Sequence, residues 1–555
     1  MTVMWPIRWS DVVSRARALL PPASLCCALV AAANAQTSVL TYHNDNARTG
    51  QNITETVLTP GNVNARQFGR LFSQVVDGDV YAQPLYVPNL EILRKGVHNV
   101  VFIATEADSL YAFDADSASG ANAAPLWQVS LLDAAHGAAH GAAPGATPVN
   151  GRSDLNCGSI VPQVGITATP VIDLTRKTLY VESFSKETGG LVHRLHALDL
   201  ATGVEKKASP VLITARARGE GQADVQFDSV RELARAGVLL THDRVYLSYG
   251  SSCDKPRYQG WMLAYDASTL ADRGSLVTSR EHGKAAIWMS GAAPAADSEG
   301  NIFLATGDGW FDTTTTTPRE LGDSILKITP HAAELVLTDY FTPYNQLLLA
   351  RHDGDVGSGG VLLLPDQSGP HPRMLLEAGK SGTVYMLDRD VMTAGNLHFC
   401  ADCASDRQIA QELPAAVSGG VWGMPVYWNN RVYFSGSEDP LRAFSLQQGR
   451  LQAVPASTSQ DTCEYPGCGM SLSANGSRDG ILWTLQLGDF DAKGPVVLKA
   501  YDALDLGRVL YASNQHRERD TPGGSLKFMV PTVVNGKVYV GGARQITAFG
   551  LIQQP

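Results

Sequence analysis

Residues 287–390 include an aromatic ring, three aspartates and two basic side chains whose types and spacing suit ligand binding and acid–base chemistry. They are Trp288, Asp308, Asp353, Asp355, Lys380 and Arg389. Carboxylate oxygens are the ligands that hard cations such as Ca²⁺ prefer, and a carboxylate can also act as a general base. An indole ring can support a flat ligand, and a basic side chain can hold an anionic one. The segment is therefore a candidate site for an anionic ring system and a cation.

Each of these residues also has a purely structural interpretation. Tryptophan commonly packs between neighbouring sheets, which would account for Trp288. Asp353 and Asp355 stand in a glycine-rich turn, where aspartate is favoured because its carboxylate bonds the local backbone. Asp308 also stands in a turn, and the two basic residues can be turn and surface charges. The residues alone leave both interpretations open.

The elements that must position these residues form an internal repeat. Each unit has an apolar opening strand, a second strand rich in Val and Tyr, and a third strand close to the pattern Leu-x-Ala-aromatic-Asp. The eight third strands lie at residues 110–114, 195–199, 262–266, 325–328, 384–388, 441–444, 498–502 and 546–549. Short strands joined by turns such as Asn535-Gly536 are typical of hairpins. The repeat predicts eight antiparallel sheets and disfavours a fold with helical crossovers.

The ends of the chain predict how these sheets close into a ring. Most units continue into a fourth strand, but the eighth runs out at the C-terminus. Residues 69–76 have the fourth-strand pattern and precede the first unit, so they can complete the last sheet and remove its open edge. The sequence thus predicts an all-β fold, a single eight-bladed β-propeller closed by an N-terminal strand. The predicted organisation is a signal peptide at 1–35, an N-terminal segment at 36–68 and the propeller at 69–555.

The repeat resembles the quinoprotein alcohol dehydrogenase superfamily and a group of exported bacterial propellers described as PQQ-binding-like, where PQQ is pyrroloquinoline quinone. The most specific resemblance lies in four motifs, at residues 287–288, 305–309, 352–356 and 378–389. It implies PQQ and calcium as cofactors. Trp288 would be the floor under the quinone, Lys380 and Arg389 its cationic contacts, Asp308 a calcium ligand, and Asp353 or Asp355 the catalytic base. Of the two aspartates, Asp353 is the better match.

Three departures from the family leave two function classes open. The mature cysteines are never adjacent, no haem motif is present, and the stretch where the family has a glutamate calcium ligand offers only Asp254. One class is a dehydrogenase, non-canonical or degenerate, that oxidises a small alcohol or sugar. The other is a non-catalytic cell-envelope scaffold that binds a protein or a glycan. Fold alone does not choose between them.

The N-terminus and the charge balance predict an exported protein. Arg8, Arg15 and Arg17 precede a short apolar run that ends in Ala33-Asn34-Ala35, which is typical of a cleaved signal peptide rather than of a membrane span. The 54 acidic against 44 basic residues argue against nucleic acid as a partner. We therefore expect a secreted or periplasmic protein.

Six cysteines follow the predicted cleavage site, at positions 157, 253, 400, 403, 463 and 468. An even number in an oxidising compartment favours disulfides. Local pairs such as Cys400 with Cys403 and Cys463 with Cys468 are candidates, although spacing does not determine the connectivity.

Overall fold

The fold consists of eight antiparallel sheets that follow one another along the chain as the blades of a propeller. The computed structural model describes residues 36–136, 146–217, 224–313 and 318–552, and from Thr37 onward these form one compact unit. The predicted signal peptide at 1–35 lies outside the described residues. The prediction of an all-β, eight-bladed propeller is confirmed.

Each blade has four main strands, which run in order from the inner strand at the channel to the outer edge. Blade 1 has Leu85–Ile92, Gly96–Ala104, Ser109–Asp114 and Trp127–Ser130. Blade 2 has Val171–Asp173, Thr178–Glu187, Gly190–Asp199 and Val211–Leu212, with Thr147–Asn150 and Gln163–Val164 added. Blade 3 has Leu239–Thr241, Arg244–Ser251, Trp261–Asp266 and Asp272–Val277, with Glu232–Leu233 added. Blade 4 has Ala295–Ala296, Ile302–Ala305, Ile325–Pro330 and Leu335–Phe341.

The remaining blades follow the same order. Blade 5 has Leu362–Leu363, Met374–Ala378, Val384–Asp388 and Gln411–Leu413. Blade 6 has Val426–Trp428, Arg431–Phe434, Asp439–Gln447 and Ser457–Cys463, with Arg450–Leu451 added. Blade 7 has Gly469–Asn475, Arg478–Gln486, Val497–Asp502 and Asp505–Ala512. Blade 8 has Thr532–Val534, Lys537–Gly542, Gln545–Leu551 and Phe68–Val75. A separate two-stranded sheet pairs Arg216–Ala217 antiparallel with Val225–Gln226.

Within the described ranges, helices are few and short. The α-helices are Gln346–Arg351 and Arg517–Asp520, and the 3-10 helices are Gly120–Ala123, Ala134–His136, Met289–Gly291, Val356–Ser358, Ala394–Asn396 and Ser513–His516. In the part of the chain that the structure describes, no helix has the length and apolar character needed to cross a membrane.

The ring is closed by the N-terminal strand Phe68–Val75, which forms the outer edge of blade 8. It pairs antiparallel with Gln545–Leu551, with Phe68 opposite Leu551 and Val75 opposite Gln545. The buried Phe68 ring packs against Trp483, Tyr511 and Phe549, so the strand is held by core contacts as well as by the ladder. The predicted closure is confirmed. This closure is favourable because pairing an N-terminal strand with the C-terminal strands in one sheet leaves no blade without its outer strand.

The segment before this strand occupies the central channel. Between Val39 and Asn52 it forms hydrogen bonds with the inner strand of every blade. In blade order, the partners are Tyr86, Ile172, Leu240, Ala296, Leu363, Tyr427, Leu472 and Val533. Inner strands line the channel of a propeller, and a segment bonded to all of them must lie within it. The segment therefore pairs backbone groups that the inner strands would otherwise leave open.

In the described portion of the chain, three disulfides cross-link the loops. Cys400 pairs with Cys403 and Cys463 pairs with Cys468, as expected for local pairs. The third bond joins Cys157 to Cys253, which are 96 residues apart in sequence, and links a loop of blade 2 to a loop of blade 3.

A buried carboxyl group at the junction of blades 1 and 2 makes stability depend on pH. Glu106 Oε2 accepts hydrogen bonds from Gly165 N at 2.7 Å and Thr167 Oγ1 at 3.0 Å, whereas its Oε1 is buried without a partner. Burial raises the pKa of Glu106 to about 8 from its usual value of 4.5. The folded protein therefore holds this proton up to about pH 8, while the unfolded chain releases it near pH 4.5.

We expect Glu106 to make the folded state less stable as pH rises from 4.5 to 8, because in this range the unfolded state binds fewer protons. Glu106→Gln removes this contribution, so it should raise the urea midpoint at pH 8.5 and change it little at pH 5. The exposed Glu91→Gln on blade 1 is the matched control. Equal pH slopes for Glu106→Gln and the unmodified protein would contradict the prediction.

Candidate functional site

A cavity of about 170 Å³ lies where loops of blades 2 to 5 meet. Its walls include six of the seven residues that the sequence singles out. They are Asp254, Trp288, Asp308, Asp353, Asp355 and Lys380. Residues of four successive blades can line one cavity only near the propeller axis. The predicted site residues are therefore brought together, apart from one.

The strand order explains why these side chains meet. Trp288 precedes the inner strand of blade 4, and Asp353 and Asp355 precede that of blade 5. Asp308 follows the second strand of blade 4, and Lys380 follows the second strand of blade 5. Because neighbouring strands are antiparallel, the start of an inner strand and the end of the next strand lie at the same end of the blade. All five residues consequently stand at one end of the channel.

Asp355 is the centre of the hydrogen-bond network. Its Oδ1 accepts from the backbone N–H of Asp308 at 2.7 Å, and its Oδ2 accepts from Trp288 Nε1 at 3.1 Å. Lys380 Nζ lies 3.1 Å from Asp355 Oδ2 and 2.8 Å from Asp353 Oδ1. The Asp355 side chain is 7% exposed, whereas that of Asp353 is 76% exposed. The buried carboxylate is thus Asp355, although the motif favours Asp353.

Three carboxylates and two ammonium groups set the electrostatics of the site. Oxygens of Asp308, Asp353 and Asp355 lie within 4.8 Å of one another. Lys380 bridges two of them, and Lys284 forms an ion pair with Asp308. Burial raises the pKa of Asp355 to about 6, while the charge of Lys380 opposes the rise. Asp355 is therefore ionised at neutral pH and is a stronger base than an ordinary aspartate.

The Trp288 ring forms one wall of the cavity, and the position of its side chain depends on a close approach by the backbone. Lys380 Nζ lies 5.6 Å from the ring centroid, within cation–π range. A Cβ atom at Gly250 would lie 2.8 Å from the Cβ of Trp288, and one at Gly307 would lie 3.2 Å from its Nε1. A side chain at Gly250 would thus displace the ring.

Arg389 lies elsewhere, so its position does not support a shared ligand with Lys380. The strand Val384–Asp388 separates the two residues, and five residues of strand at about 3.3 Å each carry the chain to the opposite end of the blade. There Arg389 Nη2 donates to Leu364 O at 3.3 Å. Asp254 lines the cavity from blade 3, and its Oδ1 accepts from Ser251 Oγ, but it lies outside the group of three carboxylates.

Comparison with solved structures identifies the fold. The quinohemoprotein alcohol dehydrogenase of Comamonas testosteroni superimposes with a TM-score of 0.59 at 14% sequence identity, covering 94% of this chain and 82% of that one. The chain has the fold of a quinoprotein alcohol dehydrogenase. The enzyme ADHIIG of Pseudomonas putida HK5 gives 0.58 at 14% identity, with 94% and 81% coverage. A europium-containing methanol dehydrogenase gives 0.56 at 12% identity, with 93% and 98% coverage. No protein-family model and no curated protein matches the sequence.

Several residues of this site escape sequence reasoning. Lys284 pairs with Asp308, Arg235 lines the cavity from blade 3, and the disulfide between Cys157 and Cys253 forms part of its wall. No motif surrounds Lys284 or Arg235. The one available signal was the pair of cysteines left over after the two local disulfides, which predicts a long-range bond without placing it at the site.

Proposed function

We propose that the cavity binds PQQ together with a calcium ion and that the protein is an oxidoreductase acting on an alcohol or a sugar. The observation that carries this proposal is the convergence of Trp288, Asp308, Asp355 and Lys380, from separate loops, in one cavity near the axis. The fold supports it, because the similar structures include quinohemoprotein alcohol dehydrogenases and a methanol dehydrogenase.

The donor chemistry of the cavity fits these two groups. The close carboxylates of Asp308, Asp353 and Asp355 supply the oxygen atoms that a hard cation requires. Together with Lys284 and Lys380 they leave one net negative charge, which favours a bound cation. The Trp288 face suits a flat ring, and Lys380 suits a ring substituent that carries negative charge.

Asp355 is the residue best placed to accept the hydroxyl proton of the substrate. PQQ, when bound, supplies the acceptor for the two electrons that leave the substrate carbon as hydride. The hydrogen bonds from Trp288 and Asp308 orient the Asp355 carboxylate. Burial strengthens its basicity, and Lys380 keeps it ionised. Asp353, which is mostly exposed, shares Lys380 and holds its ammonium beside Asp355.

We also propose that the protein works outside the cytoplasm, in the periplasm or as a secreted protein. Its three disulfides support this location, since such bonds form and persist in oxidising compartments. Mass spectrometry of the exported product should show Gln36 as the first residue. Recovery of the intact chain in the cytoplasm would contradict the proposal.

PQQ binding is the direct test of the proposed function. We expect purified protein with PQQ and CaCl₂ to show quenching of tryptophan fluorescence and to reduce an artificial dye with an alcohol or aldose. Trp288→Ala should weaken PQQ binding by about tenfold or more, because it removes the aromatic wall. Trp310→Ala is the matched control, since Trp310 does not line the cavity and is 60% exposed. Absence of PQQ binding by the unmodified protein would refute the proposal.

A further inference from the structure

Two basic side chains outside the carboxylate cluster stand at the same end of the channel. Arg235 precedes the inner strand of blade 3, and Lys527 precedes that of blade 8. By the same strand geometry that gathers the site residues, both lie at the end where Trp288 stands. They approach the axis from different blades, and neither belongs to any motif in the sequence.

Each of these cations is held against an aromatic ring. The guanidinium carbon of Arg235 lies 4.7 Å from the centroid of Phe528, and Lys527 Nζ lies 4.5 Å from the centroid of Phe490. Phe528 in turn lies edge to face with Trp288, with 6.2 Å between ring centroids. Stacked rings hold a basic side chain in place without neutralising its charge.

Neither cation is in a direct ion pair within the described part of the chain, although the carboxyl groups of Glu106 and Asp491 act on Arg235 and Lys527 from a longer distance. Among the described residues, neither Arg235 nor Lys527 takes part in a hydrogen bond or an ion pair, whereas Lys284 and Lys380 in the same region are both paired with aspartates. Both side chains are half-buried. Burial lowers the pKa of Lys527, Asp491 opposes this, and the positive charge of Arg235 lowers it further. Burial likewise lowers the pKa of Arg235. Two cations that repel each other in a partly buried channel are stabilised by an anion placed between them.

We propose that Arg235 and Lys527 form an anion-binding subsite next to the Trp288 cavity, which takes a carboxylate of the molecule bound there. Arg235 lines that cavity, so a ligand lying on Trp288 reaches the subsite directly. The carboxylate belongs either to the cofactor or to an acidic substrate such as a sugar acid. The choice of PQQ as a probe rests on the proposed function, but the subsite itself does not.

The first arm of the test asks whether the carboxylate belongs to the cofactor. Tryptophan fluorescence titrations would compare PQQ with its trimethyl ester, which keeps the rings and lacks the charges. If the subsite holds the cofactor, Arg235→Gln and Lys527→Gln each raise the Kd for PQQ by about tenfold or more, as for the loss of a charge-assisted hydrogen bond. The ester should bind all variants alike. Arg235→Lys, which keeps the positive charge, should raise the Kd for PQQ by less than Arg235→Gln does.

The second arm asks whether the carboxylate belongs to the substrate. Calorimetric titration with gluconate and with glucose separates the acid from the neutral sugar. If the subsite holds the substrate, both glutamine variants weaken gluconate binding about tenfold and leave glucose and PQQ unchanged. Arg508→Gln and Lys537→Gln are matched controls away from the cavity, where the side chains pair with Asp502 and Asp116.

The outcomes separate the subsite from the proposed function. If the unmodified protein does not bind PQQ but binds gluconate, and Arg235→Gln weakens gluconate binding, the proposed function is refuted and the subsite is supported. If PQQ binds and neither PQQ nor gluconate affinity changes more than about twofold in the variants, the subsite is overturned. Failure of the unmodified protein to bind both probes overturns it as well. If the variants do not fold, a salt titration of the unmodified protein replaces them. The Kd for the anionic probe that binds, PQQ or gluconate, must then rise with ionic strength far more than the Kd for its neutral counterpart, the ester or glucose. Equal salt dependence of the anionic and neutral probes would overturn the subsite.

Discussion

Asp355→Asn is expected to lower PQQ-dependent dye reduction by about 10²- to 10⁴-fold, the usual contribution of a general base. Asp355 is the most buried member of the carboxylate cluster, and its two oxygens receive hydrogen bonds from Asp308 N and Trp288 Nε1. Burial also raises its pKa to about 6, so it combines ionisation at neutral pH with raised basicity. Asparagine has a similar shape but cannot take up the substrate proton.

The comparison with Asp353 makes this test specific. Asp353→Asn should lower the rate by only about tenfold, because the side chain is mostly exposed and acts on Asp355 through Lys380. Binding of PQQ, followed by tryptophan fluorescence, must stay within about threefold in both variants for the rate loss to be assigned to proton transfer. A larger loss with Asp353→Asn than with Asp355→Asn would assign the base to Asp353, as the sequence motif suggests.

Arg48→Met is expected to destabilise the fold by about 3–5 kcal/mol, because several buried oxygen acceptors lose their donor and each unpaired one costs about 1–3 kcal/mol. Arg48 is fully buried in the segment that fills the channel. Its Nε and Nη2 donate to Pro294 O, at 2.9 and 2.8 Å, and its Nη1 donates to Thr41 Oγ1, Tyr42 O and Asp45 O. One guanidinium thus ties a turn of the N-terminal segment to the loop that leads from Trp288 into blade 4.

Methionine matches the length of the arginine stem but leaves these acceptors unpaired in the core. The change in the free energy of unfolding is measured from the urea midpoint and the slope of the unfolding transition. Arg508→Met, on the outer strand of blade 7, is the exposed control. Arg48→Lys should recover only part of the stability, since one ammonium cannot reproduce the fork of donors. Equal midpoints for Arg48→Met and the control would show that the channel segment is not anchored by Arg48.

The pattern of short strands by itself determined the number of blades and the closure of the ring. The alternation of apolar and polar residues and the turn residues act over a few positions, so the strands of each unit can be predicted without reference to the other units. The missing fourth strand of the last unit and the extra strand at residues 69–76 then left one arrangement without an open edge. The same local patterns predicted that Trp288, Asp308 and Lys380 lie beside strand ends, and the structure brings these ends together.

Only the tertiary structure decided which aspartate is buried, where Arg389 lies, and what the N-terminal segment does. Asp353 and Asp355 differ in exposure because of contacts with Trp288 and the backbone of Asp308, which are distant in sequence. The path of residues 39–52 through the channel depends on hydrogen bonds to all eight blades, and no local pattern encodes such a set. The meeting of Arg235 with Phe528 likewise requires the ring to be closed, because propeller loops become neighbours only through the axis that the blades share.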